Sequence, residues 1–265
     1  MTLILDVRNL SMEFGGLQAL SDFSISLHSH EIVGLIGPNG AGKTTVFNLL
    51  TNVYRPSSGR VLLQGADTAG KMSSEVARSG IARTFQNIRL FKQLSVIDNV
   101  KIALNGSMSY SMLDSVLRLP KYWSEEDEAT AKAIELLTIF DMEHMADQIA
   151  SSLPYGAQRR LEILRALATD PEVLLLDEPA AGLNPSETGE LMATIVRIRD
   201  QFEVAIILIE HDMNLVMGIC ERIVVLNYGQ IIAHGTPQEI KDNAVVIEAY
   251  LGKQQEGDGD SRAES

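Results

Sequence analysis

A glycine-rich run decides the fold of this chain: Gly37-Pro38-Asn39-Gly40-Ala41-Gly42-Lys43-Thr44-Thr45. The run fits the pattern G-x-x-x-x-G-K-[ST], which is typical of a loop that binds phosphate groups. Such a loop needs several backbone N–H donors that point inward, and glycines let the chain bend around the ligand without Cβ clashes. In this pattern Lys43 reaches the β- and γ-phosphates, and the Thr44 hydroxyl is placed to ligate Mg²⁺. The run therefore predicts a site for a magnesium-bound polyphosphate.

The segments on either side of this run support that interpretation. Residues 31–36 include a short apolar stretch, which predicts a buried strand that enters the loop. Residues 44–50 predict a helix that leaves the loop and turns its positive end toward the anion. Strand, loop and helix are the context that the pattern requires. The alternative interpretation, a glycine-rich turn without a ligand, is therefore much weaker.

The composition indicates a globular and acidic protein. The chain has 265 residues, enough for one large domain or two small ones, and 45% of them are apolar. Its 35 acidic residues outnumber the 22 basic ones, so the net charge is −13. A general nucleic-acid binder would need a basic face that displaces counterions, and we therefore predict no nucleic-acid partner. The single cysteine, Cys220, excludes an internal disulfide and a multi-cysteine metal site and favours a reducing compartment.

The sequence predicts neither a signal peptide nor a membrane-spanning helix. Residues 1–6 lack a basic region followed by a long apolar stretch. No apolar run approaches the roughly 20 residues that are needed to span a bilayer. We therefore expect that the chain does not cross a membrane by itself, although a partner could hold it against one.

Changes in composition divide the chain into three kinds of segment. Residues 1–94 and 153–251 contain the strand patterns and are predicted to form one α/β core. Residues 95–152 are rich in helix formers, and Ser124 to Asp127 resembles a helix start, so this stretch is predicted as a helical insertion. Residues 252–265 have almost no apolar side chains and are predicted as a disordered tail.

Two aromatic segments have ordinary explanations as well as functional ones. Residues 3–10 alternate like a half-buried strand, and residues 12–16 then predict a turn that carries Phe14. From composition alone, Phe14 is better explained as a core residue than as a ligand contact. Residues 83–91 mix arginines with phenylalanines, which could be proposed as an RNA-stacking platform. In an acidic chain, a mixed surface loop is the better interpretation.

Reactive side chains follow two further apolar runs. Residues 173–176 predict a strand buried on both faces, and it ends in Asp177 and Glu178. Residues 204–209 predict a similar strand, which is followed by His211. Ligands of open parallel sheets lie beyond the carboxyl ends of the strands, so these groups should meet the glycine-rich loop. Singly, the acidic pair could be a solvated turn and the histidine a surface residue. Together they predict Asp177 near Mg²⁺ and Glu178 as the group that polarises a water molecule.

With these motifs, the chain resembles the ATP-binding subunits of ATP-binding-cassette (ABC) transporters over nearly its whole length. Residues 37–45 match the Walker A loop, and residues 174–178 match the Walker B strand with its catalytic glutamate. Gln86 matches the Q-loop glutamine and His211 the switch histidine. The resemblance implies an α/β fold of the P-loop NTPase (RecA-like) type. That fold has a mostly parallel sheet, an N-terminal antiparallel β subdomain and an inserted helical subdomain.

The resemblance also implies roles that the residues alone leave open. Phe14 falls where the family stacks an aromatic ring on adenine, which reverses the interpretation from composition. Residues 153–158 align with the LSGGQ signature, which contacts the ATP of a second subunit. The implied cofactors are ATP and Mg²⁺. The residues implied at the metal ion are Thr44, Gln86 and Asp177, and those implied at the second subunit's nucleotide are Tyr155, Gly156 and Ala157.

Two positions depart from the family pattern. Pro154 stands where the signature has serine, so a hydroxyl is missing, and proline has no N–H to offer instead. Backbone donors from Gly156 onward and the helix N-terminus would then have to hold the phosphate. Asn184 replaces the usual aspartate of the D-loop, residues 181–184, and so removes a charge near the seam between subunits. We expect ATP hydrolysis to survive both changes.

A narrower resemblance points to importers of branched-chain amino acids. It rests on the amino-acid sequences of four segments: residues 153–160, 177–185, 209–217 and 246–252. Related subunits for urea or other amides use similar motifs. It implies that two cassettes, identical or paralogous, pair head to tail at the cytoplasmic face of a membrane. The loop of residues 86–94 and the helical insertion would transmit their motion to a permease. A substrate-binding protein would deliver the substrate to that permease.

A different class of function remains open at this point: a soluble cassette ATPase that acts as an assembly factor without a permease. Membrane association that depends on Phe91 and Leu94 would separate the two functions. A DNA-repair or translation cassette is disfavoured, because the chain is acidic and has neither a long coiled-coil insertion nor a second cassette.

Overall fold

A six-stranded sheet carries the glycine-rich loop at the tip of one of its inner strands. The computed structural model of the protein describes residues 2–104 and 120–257. The strand that leads into the loop, β3, lies between two parallel neighbours, and within the described residues the antiparallel pairing of this sheet is confined to a hairpin at one edge. In spatial order the strands are β10 (Gln230–Gly235), β9 (Arg222–Asn227), β3 (Ile32–Ile36), β8 (Ala205–Ile209), β7 (Val173–Asp177) and β6 (Ile81–Arg83).

The inner strands are buried on both faces, as their continuous apolar runs predict. Every residue of β3, β7 and β8 is buried. Successive side chains point to opposite faces, so they divide between two hydrophobic clusters. Ile32 and Ile36 belong to one cluster, and Val33 and Leu35 belong to the other. This two-sided burial fixes the strand register, and with it the positions of the strand tips.

A second, antiparallel sheet packs beside the first. In spatial order its strands are β2 (Leu17–His28), β1 (Leu3–Phe14), β4 (Ser58–Leu63) and β5 (Ala66–Asp67). The predicted end of β1 at Leu10 and the predicted turn at residues 12–16 are wrong, because the strand continues to Phe14. The register shifts between Val7 and Leu10, where Asn9 has a φ of 50°. This irregularity absorbs the break in alternation and leaves only Gly15 and Gly16 for the turn.

Helices cover the six-stranded sheet and fill the region between β6 and β7. The helix predicted after the loop is present as α1 (Lys43–Leu50). The helix predicted to begin at Ser124 begins at Pro120 instead, because proline is well suited to the first turn of a helix. The remaining helices are α2 (Ser73–Arg78), α3 (Val96–Leu104), α4 (Pro120–Ile139), α5 (Tyr155–Leu167), α6 (Pro185–Phe202), α7 (Met213–Ile219), α8 (Pro237–Lys241) and α9 (Ala244–Gly257).

The C-terminal segment differs from its prediction. The sequence from Pro237 to Leu251 predicts one final helix, but the structure has two, α8 and α9. The break falls at Asn243, whose side-chain oxygen accepts from the N–H of Val245 at 2.9 Å and thereby starts a new helix. Helix α9 extends to Gly257, six residues into the predicted tail. The rest of that tail, residues 258–265, lies outside the described residues, as do residues 105–119 of the helical insertion.

The predicted α/β fold class, with a mostly parallel sheet, an N-terminal antiparallel sheet and inserted helices, is confirmed. Among the described residues, no helix is both long enough and apolar enough to cross a membrane.

Candidate functional site

The glycine-rich loop has a shape that only glycine allows at two positions. Gly37 has a φ of 148°, and a Cβ there would lie 2.0 Å from the carbonyl oxygen of Leu226. Gly42 has a φ of 107° and comes close to the carbonyl oxygen of Ala19, 3.0 Å from an added Cβ. The first glycine therefore allows β9 to pack under the loop, and the second lets α1 begin directly at Lys43.

Lys43 is a buried cation at the start of α1. The residue is only 6% exposed, and its ammonium group donates to the carbonyl oxygens of Gly37 at 2.7 Å and Pro38 at 3.0 Å. The ammonium group and the positive end of α1 together make the loop attractive to an anion.

A cleft of ≈ 430 Å³ lies against the loop. It brings together most of the predicted phosphate-binding residues with two of the predicted catalytic residues, and it adds a rim that the sequence analysis missed. The apolar runs of residues 223–226 and 230–233 flank Asn227-Tyr228-Gly229 and predict this turn of the β9–β10 hairpin, but they assign no role to it. The lining residues are Leu17, Gln18, Ala19, Asn39, Gly40, Ala41, Gly42, Lys43, Thr44, Thr45, Glu178, His211, Tyr228 and Gly229.

Three predicted catalytic residues meet at the carboxylate of Glu178. One carboxylate oxygen, Oε2, accepts from Nε2 of Gln86 at 2.8 Å, and the other, Oε1, lies 2.9 Å from Nε2 of His211. Gln86 follows β6, Glu178 follows β7 and His211 follows β8, so three neighbouring strand tips place them. The backbone of Glu178 has a φ of 48°, in the left-handed region that non-glycine residues rarely adopt.

Asp177 is held by an arginine that the sequence analysis did not assign to the site. Its Oδ2 pairs with Arg83 at 2.7 Å, and the side chains of the pair are 9% and 8% exposed. The same guanidinium donates to Oδ1 of Asn48 on α1 at 2.7 Å. The pairing fixes Asp177 relative to the helix that follows the phosphate loop. The only signal in the sequence was the place of Arg83 at the end of a short strand, just before Gln86.

Thr44 and Asp177 offer oxygen donors of the kind that suits a magnesium ion. Mg²⁺ prefers hard oxygen ligands, typically one or two from the protein, with substrate phosphates and water completing the set. Thr44 supplies a hydroxyl in the first turn of α1, and Asp177 supplies a carboxylate at the tip of β7.

Phe14 does not join the lining of this cleft within the described part of the chain. The ring lies at the end of β1, 42% exposed, and contacts Tyr54 edge to face, with the ring centroids 5.3 Å apart. The interpretation of Phe14 as a core residue is wrong.

The predicted signature residues stand apart from the cleft. Tyr155, Gly156 and Ala157 form the first turn of α5, and Pro154 precedes them as its N-cap, with no side-chain hydrogen bond. Gly156 and Ala157 line a separate cavity of ≈ 210 Å³ that also includes Glu187.

Asn184 has a structural task that an aspartate could also perform. Its Oδ1 accepts from the N–H of Glu187 at 3.0 Å, and the Glu187 carboxylate accepts from the N–H of Asn184 at 2.9 Å. This reciprocal cap begins α6, and asparagine makes it as well as aspartate.

The sequence matches two family profiles. The ABC transporter profile matches residues 20–181, and the profile of the branched-chain amino acid ATP-binding cassette transporter matches residues 230–256. The second match covers β10, α8 and most of α9.

Individual relatives match over almost their whole length. The high-affinity branched-chain amino acid transport ATP-binding protein LivG of Escherichia coli (strain K12) is 47% identical, over 94% of this chain and 98% of that protein. The corresponding protein BraF of Pseudomonas aeruginosa is 45% identical over the same shares. A crystal structure of the ADP conformation of an ATP-binding cassette of an ABC transporter superposes with a TM-score of 0.82 at 29% identity, covering 95% of this chain and 100% of that one. The loop, the strand tips and these matches agree, and the chain belongs to the ATP-binding cassettes of ABC transporters, which bind and hydrolyse ATP.

Proposed function

We propose that this chain is the ATP-hydrolysing subunit of an importer for branched-chain amino acids. One observation carries the catalytic part: Glu178, Gln86 and His211 meet within hydrogen-bond distance beside the phosphate loop. The substrate is supported by the profile match over residues 230–256 and by the names of LivG and BraF.

Different residues bind the phosphates, the metal ion and the adenine of the nucleotide. The backbone N–H groups of residues 37–45 and the Lys43 ammonium bind the phosphates. Thr44 and Asp177, with Gln86 nearby, hold Mg²⁺. When bound, the ion would supply positive charge that neutralises the charge developing on the phosphates. Phe14 lies at the end of β1 as the aromatic platform for adenine.

Glu178 is the group that accepts a proton from the attacking water. A carboxylate at the strand tip, beside the loop, can reach a water molecule that lies in line with the γ-phosphate. His211 and Gln86 position this carboxylate from either side, since each is within 2.9 Å of one of its oxygens. With nucleotide bound, Gln86 would help to hold the metal ion and His211 would contact the γ-phosphate.

The active unit is a head-to-tail pair of cassettes. The first turn of α5, with Tyr155, Gly156 and Ala157, lies outside the cleft and serves the nucleotide of the second subunit. Residues 1–94 and 153–251 act as the ATP-binding core, and residues 95–152 act as a helical subdomain that follows the nucleotide state. The partners are a second cassette, identical or paralogous, and an integral-membrane permease. A substrate-binding protein delivers the amino acid to that permease.

The permease contacts the loop after Gln86, which places the chain at the cytoplasmic face of the membrane. Two exposed apolar side chains support this surface: Phe91 is 46% exposed and Leu94 is 37% exposed. If both are replaced by glutamate, we expect the chain to leave the membrane fraction while its ATP affinity stays unchanged. Retention in that fraction would show that this loop is not the contact.

Uptake of amino acids tests the proposed substrate. Cells that lack this chain should lose high-affinity uptake of leucine, isoleucine and valine, and the natural chain should restore it. The Glu178→Gln variant is the matched control, because it should assemble without restoring uptake. Loss of urea uptake with unchanged leucine uptake would overturn the proposed substrate and leave the ATPase activity standing.

A further inference from the structure

A fully buried arginine joins the loop of residues 85–89, called here the Gln86 loop, to the helix that begins with Tyr155. Arg159 lies one turn into α5, and its side chain has no solvent exposure. One guanidinium nitrogen donates to the carbonyl oxygen of Phe85 at 2.9 Å, and another donates to the carbonyl oxygen of Gln86 at 2.9 Å. A helix side chain thus holds the backbone of the loop directly at the predicted catalytic glutamine.

Glu162, one turn further along α5, completes the attachment. Its Oε2 pairs with Arg159 at 2.9 Å, and its Oε1 accepts from the backbone N–H of Arg89 at 3.2 Å. Arg165 donates to the backbone carbonyl of Arg89 from the next turn. Residues 85–89 of the loop are therefore held through their backbone carbonyl and N–H groups, independently of their side chains.

The same guanidinium also reaches the start of α5. It contacts the hydroxyl of Tyr155 at 3.2 Å, and its central carbon lies 5.9 Å from the centre of that ring. One side chain thus contacts the loop that positions Gln86 and the first residue of the turn formed by residues 155–157. These two segments serve different nucleotides in the proposed pair of cassettes.

Packing alone does not require this arrangement. Removing an arginine and a carboxylate from water is costly, and well-packed apolar side chains often replace such a pair without loss of stability. What an apolar pair cannot do is hydrogen-bond the backbone of a surface loop. The geometry of the pair matches that second task, because within the described residues the hydrogen bonds from Arg159, apart from the one to Glu162, go to the loop or to Tyr155.

We propose that Arg159, oriented by Glu162, is a positioning residue that couples the two nucleotide sites of the pair. A shift of Gln86 in response to ATP in its own subunit pulls the Phe85 and Gln86 carbonyls. The guanidinium passes this shift to Tyr155 and the turn that faces the nucleotide of the partner. The inference rests on the proposed roles of Gln86 and of residues 155–157.

Hydrogen exchange on the isolated full-length chain tests the coupling without a partner or turnover. Mg²⁺ and a non-hydrolysable ATP analogue should change exchange at residues 37–45 and at residues 153–161. The Arg159→Met/Glu162→Leu variant should keep the first change and lose the second. We expect the response at residues 153–161 to fall by about fivefold or more, the lower end of ordinary coupling between two sites.

A matched control and a second variant keep the test decisive. Arg197 and Asp141 form an exposed ion pair at 3.4 Å that also joins the helical region to a core helix but does not touch the Gln86 loop. Arg197→Met/Asp141→Leu should respond like the natural chain. If the Arg159→Met/Glu162→Leu variant does not fold, Arg159→Lys is used, since a lysine keeps the charge but cannot make the forked contacts to two carbonyl groups.

The outcomes separate this inference from the proposed function. A full response at residues 153–161 in the folded Arg159 variants would overturn the coupling role. No response at residues 37–45 in the natural chain would instead overturn the nucleotide site itself. In the assembled transporter, the Arg159 variants should lower the Hill coefficient for ATP toward one, and an unchanged coefficient would also contradict the proposal.

Discussion

Glu178 combines a reactive position with a strained backbone. A left-handed conformation costs a non-glycine residue about 1–3 kcal/mol. The neighbouring backbone maintains it, because the N–H of Glu178 donates to Ile209 at 2.9 Å and its carbonyl accepts from Ala181 at 3.1 Å. The sequence identified this glutamate through the apolar run before it. The turn that aims its side chain could not be predicted, because it depends on pairing with β8.

Replacing Glu178 with glutamine tests its role as the proton acceptor. Steady-state ATP hydrolysis should fall by about 10²–10⁴-fold, the usual contribution of a general base, while ATP binding should persist. Glu203→Gln is a matched control, since Glu203 is also a left-handed glutamate but lies at the end of α6. Normal turnover in Glu178→Gln, measured by phosphate release, would remove Glu178 from this role.

Replacing Arg83 tests how much the stability of the fold depends on its buried ion pair with Asp177. Arg83→Met leaves the Asp177 carboxylate buried without its cation, so the free energy of unfolding should fall by about 3–5 kcal/mol. Arg8→Met breaks the exposed pair with Asp6 and should cost about 1 kcal/mol or less. Urea unfolding of the two variants gives the comparison. Equal losses would show that the position of Arg83 has no special importance for stability.

Helix α5 shows which features of an element a sequence can reveal. Leu161, Leu164 and Leu167 recur at helical spacing and predict a helix after Pro154, with Arg159 mainly on its polar side. The structure has this helix, and Pro154 is its N-cap. The inward turn of Arg159 was not predicted, since the same spacing put Arg159 on the polar side of the helix. Only the folded loop of residues 85–89 provides the carbonyl and N–H groups that make its burial possible.

Changing Pro154 to serine tests whether backbone donors suffice at the start of α5. Serine can cap the free N–H groups of the first turn, so the free energy of unfolding should rise by roughly 0.5–2 kcal/mol. ATP turnover of the assembled transporter should change by less than about tenfold, because one neutral hydrogen bond contributes roughly 1 kcal/mol. An increase in turnover by orders of magnitude would show that the hydroxyl matters beyond capping.

At the scale of the whole molecule, the sequence predicted the sheet and the strand tips because both depend on long apolar runs. Those runs mark β3, β7 and β8, and parallel pairing then brings their carboxyl ends to one edge. The rim of the cleft was missed for the opposite reason. Leu17 and Tyr228 come from two different sheets, and no local pattern shows that they approach the same loop.

Cys220 reports on the stability of the whole fold as a function of pH. Burial raises the pKa of its thiol from 9.0 to about 12, with the negative charge of Glu221 adding to the effect. Between these values the unfolded thiol ionises and the folded one does not, so the folded chain holds more protons. Its contribution to stability is therefore present below pH 9 and lost as the pH rises toward 12.

The Cys220→Ala variant isolates this contribution. The free energy of unfolding of the natural chain should fall more steeply than that of the variant above pH 9, by at most about 1.4 kcal/mol per pH unit. Urea unfolding at a series of pH values measures the difference between the two slopes. Parallel slopes would show that the thiol ionises in the folded chain as readily as in the unfolded one.

Both oxygens of Glu178 are already engaged while the subunit stands alone, one by Gln86 and one by His211. A carboxylate oxygen can accept more than one hydrogen bond, so an attacking water molecule would share Glu178 with these two neighbours. Gln86 and His211 follow strands on either side of the strand that carries Glu178, so movement of either strand tip would reorient this carboxylate. In the proposed pair of cassettes, closure that moves Gln86 or His211 would thus change the orientation of the carboxylate that accepts the proton from water.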